Sequence, residues 1–365
     1  MNLNLMTTNV CNFGCKYCYE GQFSAELIKE RSLTGKTSLT IPEIEKFIND
    51  YETAKGVRDN NHTLTLWGGE PLLNKEFCMQ VIEHFSKDER FSFFTSTNGY
   101  YIPEYIEFFK KIRNKIDKKR LVVQISYDGV GINEHTRVLK NGKDSKDIIL
   151  KALKLLKDND IAFTIKSVLP CAHFKDMFNA FKDVMTYGGD YFPTPEYDTI
   201  ITPENMQDIK NSLMKIAKYI YDNHLNPEVF KWFTRSKAKC GAGINFFSIN
   251  TNKEVVGCHA AMYDNSEHII GKIGEPDLIE KVLTAEKRYQ DIFDKFNQSC
   301  EKCHVPFCIQ CNYINYINGD KSLPYDERWR LKSETFCKIF EMNAKVAISL
   351  KNAILKTKQS NVLNG

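Results

Sequence analysis

The stretch that decides the fold reads NLNLMTTNVCNFGCKYC, residues 2–18. Its first part, Asn2–Thr8, alternates leucines with polar residues, which predicts a β-strand. Directly after it, a loop places Cys11, Cys15 and Cys18 at Cys-x3-Cys-x2-Cys spacing. Thiols clustered in this way in a reducing compartment favour metal binding over disulfides. The sequence therefore predicts a strand that ends in a metal-binding loop.

Further along, short runs rich in β-branched and aromatic residues alternate with longer helical patterns. Strands separated by helices predict βαβ units and a parallel sheet. Six such units are too few for a closed eight-stranded barrel, so we expect an α/β fold with an open, partial barrel or a doubly wound sheet. The predicted strands are Asn2–Thr8, His62–Trp67, Phe91–Thr97, Leu121–Ser126, Ala162–Leu169 and Asp190–Tyr197, and the predicted helices are Ile41–Lys55, Lys75–Ser86, Pro103–Ile116, Ser145–Asn159, His173–Thr186 and Asn205–His224.

Unusual residues follow each of the first five strands. The carboxyl ends of parallel strands carry the chemistry of α/β proteins, so these residues are candidates for one site. Paired glycines permit a close backbone approach to a ligand, and Glu70 beside them offers an acceptor for an amine. After the cysteine loop, the segments are Gly68-Gly69-Glu70-Pro71, Thr97-Asn98-Gly99, Ser126-Tyr127-Asp128-Gly129 and Pro170-Cys171.

Composition narrows the class of protein. Hydrophobic residues make up 42% and charged residues 26% of the 365 residues, which is ordinary for a soluble globular chain. The net charge of +4 is too mild to imply a nucleic-acid or membrane-surface protein. The basic stretch 110–120 has its apolar residues at helical spacing, which indicates a solvated helix face. With neither a long apolar span nor a signal-peptide pattern, we expect a cytoplasmic protein.

The pattern changes from Lys239 onward, where cysteines become dense, turns frequent and apolar periodicity weak. A final helix is predicted near Phe340–Leu355, with a polar tail from Lys356 expected to fray. Predicted domains are 1–232, 233–340 and 341–365. Taken alone, the run Cys300-x2-Cys303-x4-Cys308-x2-Cys311 fits either a zinc ribbon or an iron–sulfur site. We expect structural roles for the two remaining cysteines, Cys78 and Cys171.

Together, the cysteine triplet, the run WGGEPLL from Trp67, Thr-Asn-Gly and Ser-Tyr-Asp-Gly resemble the radical S-adenosylmethionine (SAM) superfamily over roughly residues 1–230. The resemblance implies a partial (β/α)6 TIM-like barrel and a 4Fe–4S cluster whose open iron chelates the methionine amine and carboxylate of SAM. It further implies reductive cleavage of SAM to a 5′-deoxyadenosyl radical, which abstracts a hydrogen atom from the substrate.

Roles follow from the same resemblance, position by position. The cluster ligands would be Cys11, Cys15 and Cys18, and Tyr17 would lie near the adenine. The methionine amine would meet Gly68, Gly69 and Glu70, and the ribose and carboxylate would meet Ser126 and Arg137. For Arg137 a plain surface arginine is the alternative, because the stretch after Asp128-Gly129 is one residue shorter than in relatives. Asn98 and Asp128 complete the predicted cofactor-binding set, and no catalytic residue is identified.

The seven C-terminal cysteines resemble the SPASM extension of peptide-modifying radical enzymes, which carries two auxiliary 4Fe–4S clusters. The resemblance assigns Cys300, Cys303, Cys308 and Cys337 to the outer cluster and Cys240, Cys258 and Cys311 to the inner one. Lys253 stands where the family has glycine, and two inner spacings are each one residue shorter. Three ligands would leave the inner cluster with an open iron for a substrate group, unless His259 is the fourth ligand.

The function implied is an oxidoreductase that modifies a residue of a peptide or protein, through a thioether or carbon–carbon crosslink in a ribosomal peptide or through side-chain oxidation. Alternatives are an anaerobic sulfatase-maturating (formylglycine-generating) enzyme, a radical enzyme acting on a small molecule and a non-catalytic zinc or iron–sulfur-binding protein. The expected partners are a peptide substrate and a reductant such as flavodoxin or ferredoxin, with no nucleic acid or membrane. We expect no leader-recognition segment before residue 1, and therefore either direct substrate binding or delivery by a separate leader-peptide-binding protein.

Overall fold

The structure, a computed structural model, describes residues 1–18, 35–196, 201–234, 240–261, 268–301, 303, 305–308 and 334–363. Of residues 295–301, 334–336, 358 and 360–363 only the backbone is described. The chain divides into two compact units. The first comprises Met1–Ser126, Val138–Thr164 and Cys240–Asn297, and the second comprises Tyr127–Arg137, Ile165–Lys239 and Gln298–Gly365.

A twisted sheet forms the centre of the first unit. Four parallel strands, β1 to β4, lie side by side, and β7 adds to the free side of β1, also in parallel. Two short antiparallel strands, β8 and β9, extend that side, so that the order is β4-β3-β2-β1-β7-β8-β9. The bounds are β1 Asn2–Thr8, β2 His62–Gly68, β3 Phe91–Thr97, β4 Leu121–Ser126, β7 Phe246–Ile249, β8 Glu254–Val256 and β9 Ile269–Lys272.

The two faces of this sheet differ in exposure. On one face, side chains such as Leu66, Phe93 and Val123 are fully buried. On the other face most side chains of β2, β3 and β4 are partly exposed, whereas β1 is buried on both faces from Leu3 onward. On that face the hydroxyl of Ser96 on β3 donates to the amide oxygen of Gln124 on β4 at 3.3 Å. The first unit also contains helices α1 Ile41–Lys55, α2 Lys75–Phe85, α3 Ile102–Arg113, α5 Lys146–Asp158 and the main part of α8 Leu278–Glu301. One buried face and one partly exposed face are typical of an open barrel.

The second unit is built on aromatic packing. Phe230 contacts the rings of Phe181, Tyr191 and Trp232 at centroid distances of 5.9, 6.1 and 5.8 Å. The indole N–H of Trp232 donates to the Pro193 carbonyl at 2.8 Å, which satisfies its one polar atom. The elements are α4 Asn133–Thr136, β5 Phe163–Leu169, α6 Met177–Thr186, β6 Pro193–Pro195, α7 Pro203–Asp222 and α9 Glu334–Leu363; the first two residues of β5 belong to the first unit.

Four of the predicted elements, β1, β3, β4 and α1, have the bounds expected from sequence, and Cys78 and Cys171 are buried as expected. Three predictions were wrong in extent. The sixth strand covers only Pro193–Pro195, because proline supplies no N–H to a ladder. The helix expected at His173–Thr186 begins at Met177, after a 3-10 turn. The final helix continues to Leu363, so residues 357–363 are helical.

The stretch after Lys239 also holds more regular structure than predicted. Helix α8 buries Val282, Ala285, Tyr289 and Phe293 at three- and four-residue spacing. Because many charged residues lie between these positions, the apolar stripe is not predicted from the sequence. Of the helices that the structure describes, none has the length and apolar character needed to span a bilayer.

Gly129 allows the turn that contains it to pack closely against helix α6 in the second unit. It adopts φ +87°, and a β-carbon there would lie 2.7 Å from the Cα of Ala180 on α6. Gly188 adopts φ +82° but has open space around it. We expect Gly188→Ala to cost about 1 kcal/mol of unfolding free energy through backbone strain alone. Gly129→Ala should cost at least about 2 kcal/mol more, because α6 must also move.

Urea unfolding of both variants measures this difference. Equal losses of stability in Gly129→Ala and Gly188→Ala would contradict the packing of α6 on the turn at Gly129.

Candidate functional site

The cysteine loop, residues 9–18, leaves the carboxyl end of β1. Phe13 is buried and anchors its middle, and the main-chain N–H of Gly14 donates to the Val138 carbonyl at 2.8 Å. The N–H of Cys18 donates to the Cys15 carbonyl at 3.2 Å, which brings these two cysteines onto one turn. All three loop cysteines are partly exposed. The fold therefore holds the backbone of the loop in place, while its three cysteines stay partly exposed.

The pKa of the Cys11 thiol depends on its burial and on the charges of Glu70 and the other two loop cysteines. Burial is the largest cause that raises the pKa of Cys11, to about 12, and the charges of Glu70, Cys15 and Cys18 add to it. The Phe13 N–H, which donates to the Cys11 sulfur at 3.4 Å, acts in the opposite direction. Cys11 thus retains its proton at neutral pH unless a metal displaces it, because metal ligation requires the thiolate.

The donor set at this loop fits an iron–sulfur cluster. Thiolates are the usual ligands of such clusters, and each thiolate of a cubane binds a different iron. Three thiols from one short loop can occupy three corners of a cubane. In the part of the chain that the structure describes, no three His, Cys, Asp or Glu side chains lie close enough to ligate a single metal ion.

The two glycines at the end of β2, Gly68 and Gly69, contact the backbone of the cysteine loop. The N–H of Gly69 donates to the Thr8 carbonyl at 2.9 Å, and the N–H of Glu70 donates to the Val10 carbonyl at 2.9 Å. A β-carbon at Gly68 would collide with the Thr8 carbonyl, and one at Gly69 would lie 2.5 Å from the Val10 carbonyl. Glycine is therefore required here for contact between two chain segments, whereas the sequence suggested contact with a ligand.

Glu70 is a buried carboxylate that accepts three hydrogen bonds. Its side chain is 1% exposed. It accepts from the hydroxyl of Thr97 at 2.6 Å, from the main-chain N–H of Asn98 at 2.8 Å and from the N–H of Leu72 at 3.1 Å. These donors offset the cost of burying the charge. Glu70 thereby joins the ends of β2 and β3.

Asn98 extends the network to the cysteine loop. Its side-chain amide donates to the Asn12 side-chain oxygen at 2.8 Å and lies 3.8 Å from the Cys11 sulfur. The structure thus brings together three of the segments predicted from sequence to share one edge, those that contain Cys11, Glu70 and Asn98. Two further predicted residues of the first unit, Tyr17 and Ser126, are each partly exposed, and Ser126 is the last residue of β4.

Asp128 and Arg137 belong to the second unit and form a buried pair. The Asp128 carboxylate is 0% exposed. It accepts from Arg137 at 3.3 Å, from the Thr136 hydroxyl at 3.0 Å and from the Val168 N–H at 2.9 Å. Arg137 is 7% exposed, so it is not the surface arginine that the sequence left open. The pair anchors the turn after Gly129 to β5.

Comparison with known proteins identifies the family of the first half of the chain. The sequence model of the Radical SAM superfamily matches residues 5–183. Residues 5–183 belong to the radical SAM superfamily. Radical SAM cyclopropyl synthase TigE of Paramaledivibacter caminithermalis is 26% identical over 347 residues, which cover 87% of this chain and 66% of that protein. The chain therefore spans just under two thirds of the length of TigE.

Two solved structures share the fold. Native anSMEcpe with bound AdoMet and Cp18Cys peptide matches with a TM-score of 0.70 and 17% identity over 97% of this chain and all of that one. Streptococcus suis SuiB bound to precursor peptide SuiA matches with a TM-score of 0.54 and 15% identity, over 76% of this chain and 63% of that one. At such identities the likeness concerns the fold alone, and it confirms the predicted α/β partial barrel rather than a doubly wound sheet.

Beyond the radical SAM domain, the structure describes part of the second cysteine group. In the first unit Cys240 is partly exposed and Cys258 is buried. The Gly243 N–H donates to the Gly257 carbonyl at 2.9 Å, which draws the two cysteine segments together. In the second unit Cys303 is exposed, while Cys308 and Cys337 are partly exposed. Cys311 and the side chain of Cys300 lie outside the described residues, so both ligand sets stay predictions.

His259 follows Cys258 and lies among residues of the radical SAM domain. Its Nδ1 is 3.2 Å from the Asn4 side-chain amide nitrogen and 3.8 Å from the Cys258 sulfur, and its ring is 5.2 Å from that of Trp67. Burial lowers the pKa of His259 to about 4, so the ring is neutral at neutral pH. Nδ1 therefore accepts from Asn4 and the proton resides on Nε2. Whether His259 ligates a cluster stays a prediction.

Sequence analysis missed several residues that hold the site together. Asn12 accepts from Asn98, Thr136 donates to Asp128, and Asn4 donates to His259. Asn12 and Thr136 each adjoin a predicted site residue, which is a usable signal. Asn4 is distant in sequence from its partner and gave none. Lys253, where relatives have glycine, adopts φ +68°, so the turn keeps the left-handed backbone that glycine favours.

Replacing Glu70 by glutamine tests the role of its carboxylate as an acceptor. The glutamine side chain would place an NH2 group where one carboxylate oxygen now accepts hydrogen bonds, so at least one buried N–H or O–H donor would lose its acceptor. Glu70→Gln should therefore lower the free energy of unfolding by about 2 kcal/mol. Glu89→Gln removes an exposed carboxylate from the same unit and should change stability by less than about 0.5 kcal/mol. Urea unfolding compares the two, and equal stability of both variants would exclude the proposed network.

A double-mutant cycle tests the buried pair of the second unit. Asp128→Asn and Arg137→Gln should each cost about 3 kcal/mol of unfolding free energy, because each leaves its partner buried without an opposite charge. The double variant should lose at least about 1 kcal/mol less than the sum of the single losses. Strictly additive losses in urea unfolding would show that the two side chains do not interact.

Proposed function

We propose that the chain is a radical SAM enzyme that modifies a residue of a peptide or protein. The observation that carries the proposal is the connection of the three-thiol loop to Glu70 and Asn98 at the carboxyl ends of β1, β2 and β3. A 4Fe–4S cluster with SAM bound there would supply one electron to the sulfonium and so a 5′-deoxyadenosyl radical. Membership of residues 5–183 in the superfamily supports this chemistry.

The residues of this chain then act mainly by holding and orienting. Cys11, Cys15 and Cys18 would be the cluster ligands. Hydrogen bonds fix the backbone of their loop to Gly69 and Glu70, so the thiols keep their spacing when the ligands bind. For SAM itself we propose contacts to the methionine amine from Gly68, Gly69 and Glu70, with Tyr17, Asn98, Ser126, Asp128 and Arg137 completing the set.

A peptide substrate is supported by the relatives. The SuiB structure holds a precursor peptide, and the anSMEcpe structure holds a peptide together with AdoMet. The partly exposed face of the sheet carries Thr65, Ser96 and Gln124, whose side chains can bond peptide groups. We propose a thioether or carbon–carbon crosslink, or an oxidised side chain, as the product. The name of TigE, a cyclopropyl synthase, favours carbon–carbon bond formation among these.

We further propose two auxiliary clusters, held by Cys240, Cys258 and Cys311 and by Cys300, Cys303, Cys308 and Cys337. They would anchor the substrate or accept the electron released as the product forms. The partners we propose are a peptide substrate, a flavodoxin or ferredoxin as reductant and, where the substrate is delivered, a separate leader-peptide-binding protein. Metal analysis of protein purified without oxygen should find about twelve irons per chain. Zinc with little iron would contradict the enzyme proposal.

Matched cysteine variants test the assignment of the first cluster. With dithionite as reductant, Cys15→Ala should abolish formation of 5′-deoxyadenosine, because the cluster loses one of three ligands, while about eight irons stay bound. Cys303→Ala should lose auxiliary iron and still form 5′-deoxyadenosine. Chromatography of the nucleoside and iron determination give both results. Turnover in Cys15→Ala equal to that of the unchanged protein would contradict the assignment.

The substrate is found by testing the products of short reading frames next to the gene with the reconstituted enzyme. A crosslink lowers the peptide mass by two hydrogens and joins two residues on fragmentation, whereas formylglycine formation changes one Cys or Ser. If a small molecule supports formation of 5′-deoxyadenosine and none of the tested peptides does, the peptide proposal is wrong.

A further inference from the structure

A tight hairpin lies against the cysteine loop. Its turn is closed by the Gly142 N–H, which donates to the Leu139 carbonyl at 2.8 Å, and by the Leu139 N–H, which donates to the Lys143 carbonyl at 2.9 Å. Gly142, the last residue of this three-residue loop, adopts φ +79°, the left-handed backbone that such loops place there. Val138 and Asp144 pair as an antiparallel bridge at its base. The hairpin is thus a defined structure within the first unit.

The hairpin touches the loop through main-chain contacts. Leu139 forms an antiparallel bridge with Phe13, and the Val138 carbonyl accepts from Gly14 at 2.8 Å. A β-carbon at Gly14 would lie 3.5 Å from the Cα of Lys140. Lys140 therefore lies beside the segment between Cys11 and Cys15, the part of the chain that would surround the cluster.

Three lysines make this surface basic. Lys140 and Lys143 on the hairpin and Lys16 in the cysteine loop are all exposed, and we call them the basic patch. None of the three forms an ion pair with a residue that the structure describes. Some lysines elsewhere in this unit are paired, such as Lys46 with Asp50 at 2.6 Å and Lys154 with Asp158 at 2.7 Å, whereas others, such as Lys115 and Lys119, form no ion pair with a described residue. The nearby Asp144 carboxylate instead accepts from the Lys146 main-chain N–H at 3.0 Å.

We propose that the basic patch is the docking surface for an acidic one-electron carrier protein. The inference rests on the proposed function, since the electron must enter at the cysteine loop. The carrier would lose one electron and the cluster would gain it. Positive charges unpaired by neighbouring carboxylates attract an acidic partner and raise its association rate, and the effect weakens as salt screens them. A rigid hairpin beside the loop holds that partner close to the acceptor.

The test uses the full chain with its iron restored and an acidic flavodoxin as the probe. The double variant Lys140→Glu/Lys143→Glu reverses the patch. Its control, Lys115→Glu/Lys119→Glu, makes the same change of net charge at exposed lysines near the amino end of β4, the opposite end of the parallel strands. Fluorescence anisotropy measures the dissociation constant for flavodoxin at low salt and at about 0.5 M salt. Formation of 5′-deoxyadenosine is followed with reduced flavodoxin and, separately, with dithionite.

We expect the patch variant to bind flavodoxin about tenfold more weakly at low salt, with the difference lost at high salt. Its flavodoxin-driven rate should fall, and its dithionite-driven rate should equal that of the unchanged protein. The control variant should match the unchanged protein in every measurement. Equal weakening in both double variants, unchanged binding in the patch variant or an equal fall of the dithionite-driven rate would each overturn the proposal.

The two proposals fail separately. If the unchanged protein forms no 5′-deoxyadenosine with dithionite, the proposed function is wrong. The binding measurement needs no turnover, so weaker flavodoxin binding in the patch variant alone would still support the docking surface, and equal binding would still exclude it.

Discussion

One buried carboxylate holds the candidate site together. Glu70 accepts hydrogen bonds from Thr97, Asn98 and Leu72, and its own N–H donates to the Val10 carbonyl just before Cys11. A charge buried to 1% exposure is tolerated only with such partners. The same bonds fix the ends of β2 and β3 to the cysteine loop. The position of the thiols therefore depends on this residue more than on the loop itself.

The arrangement also explains why glycine precedes Glu70. The end of β2 must approach the carbonyls of Thr8 and Val10 so closely that a β-carbon at Gly68 or Gly69 would collide with them. The network and the glycines are thus two parts of one constraint, since the hydrogen bonds from Gly69 and Glu70 require that approach. Because the backbone of the loop is held by hydrogen bonds to Gly69, Glu70 and Val138 and by the buried Phe13, its thiols can exchange protons for metal without a large change of backbone.

Sequence was sufficient for those features that depend on local pattern. Alternating and helical periodicity located β1, β3, β4 and α1, and the rule that parallel strands carry chemistry at their carboxyl ends placed Cys11, Glu70 and Asn98 at one edge. It failed where long-range packing decides. The stripe of α8 is hidden among charged residues, and the contact between Asn4 and His259 joins positions 255 residues apart. The buried state of Arg137 depends on Asp128 and on the fold around it, which local spacing does not reveal.

We propose that the cysteine loop supplies three ligands to a cubane and leaves one corner for the methionine end of SAM. Electron–nuclear double resonance on the reduced protein with 15N-labelled SAM tests this most directly. We predict a hyperfine coupling between the cluster and the labelled amine nitrogen, present in the unchanged protein and absent in Cys15→Ala. A fully reduced cluster that shows no coupling to the labelled nitrogen would exclude binding of the SAM amine at the open corner of the cubane.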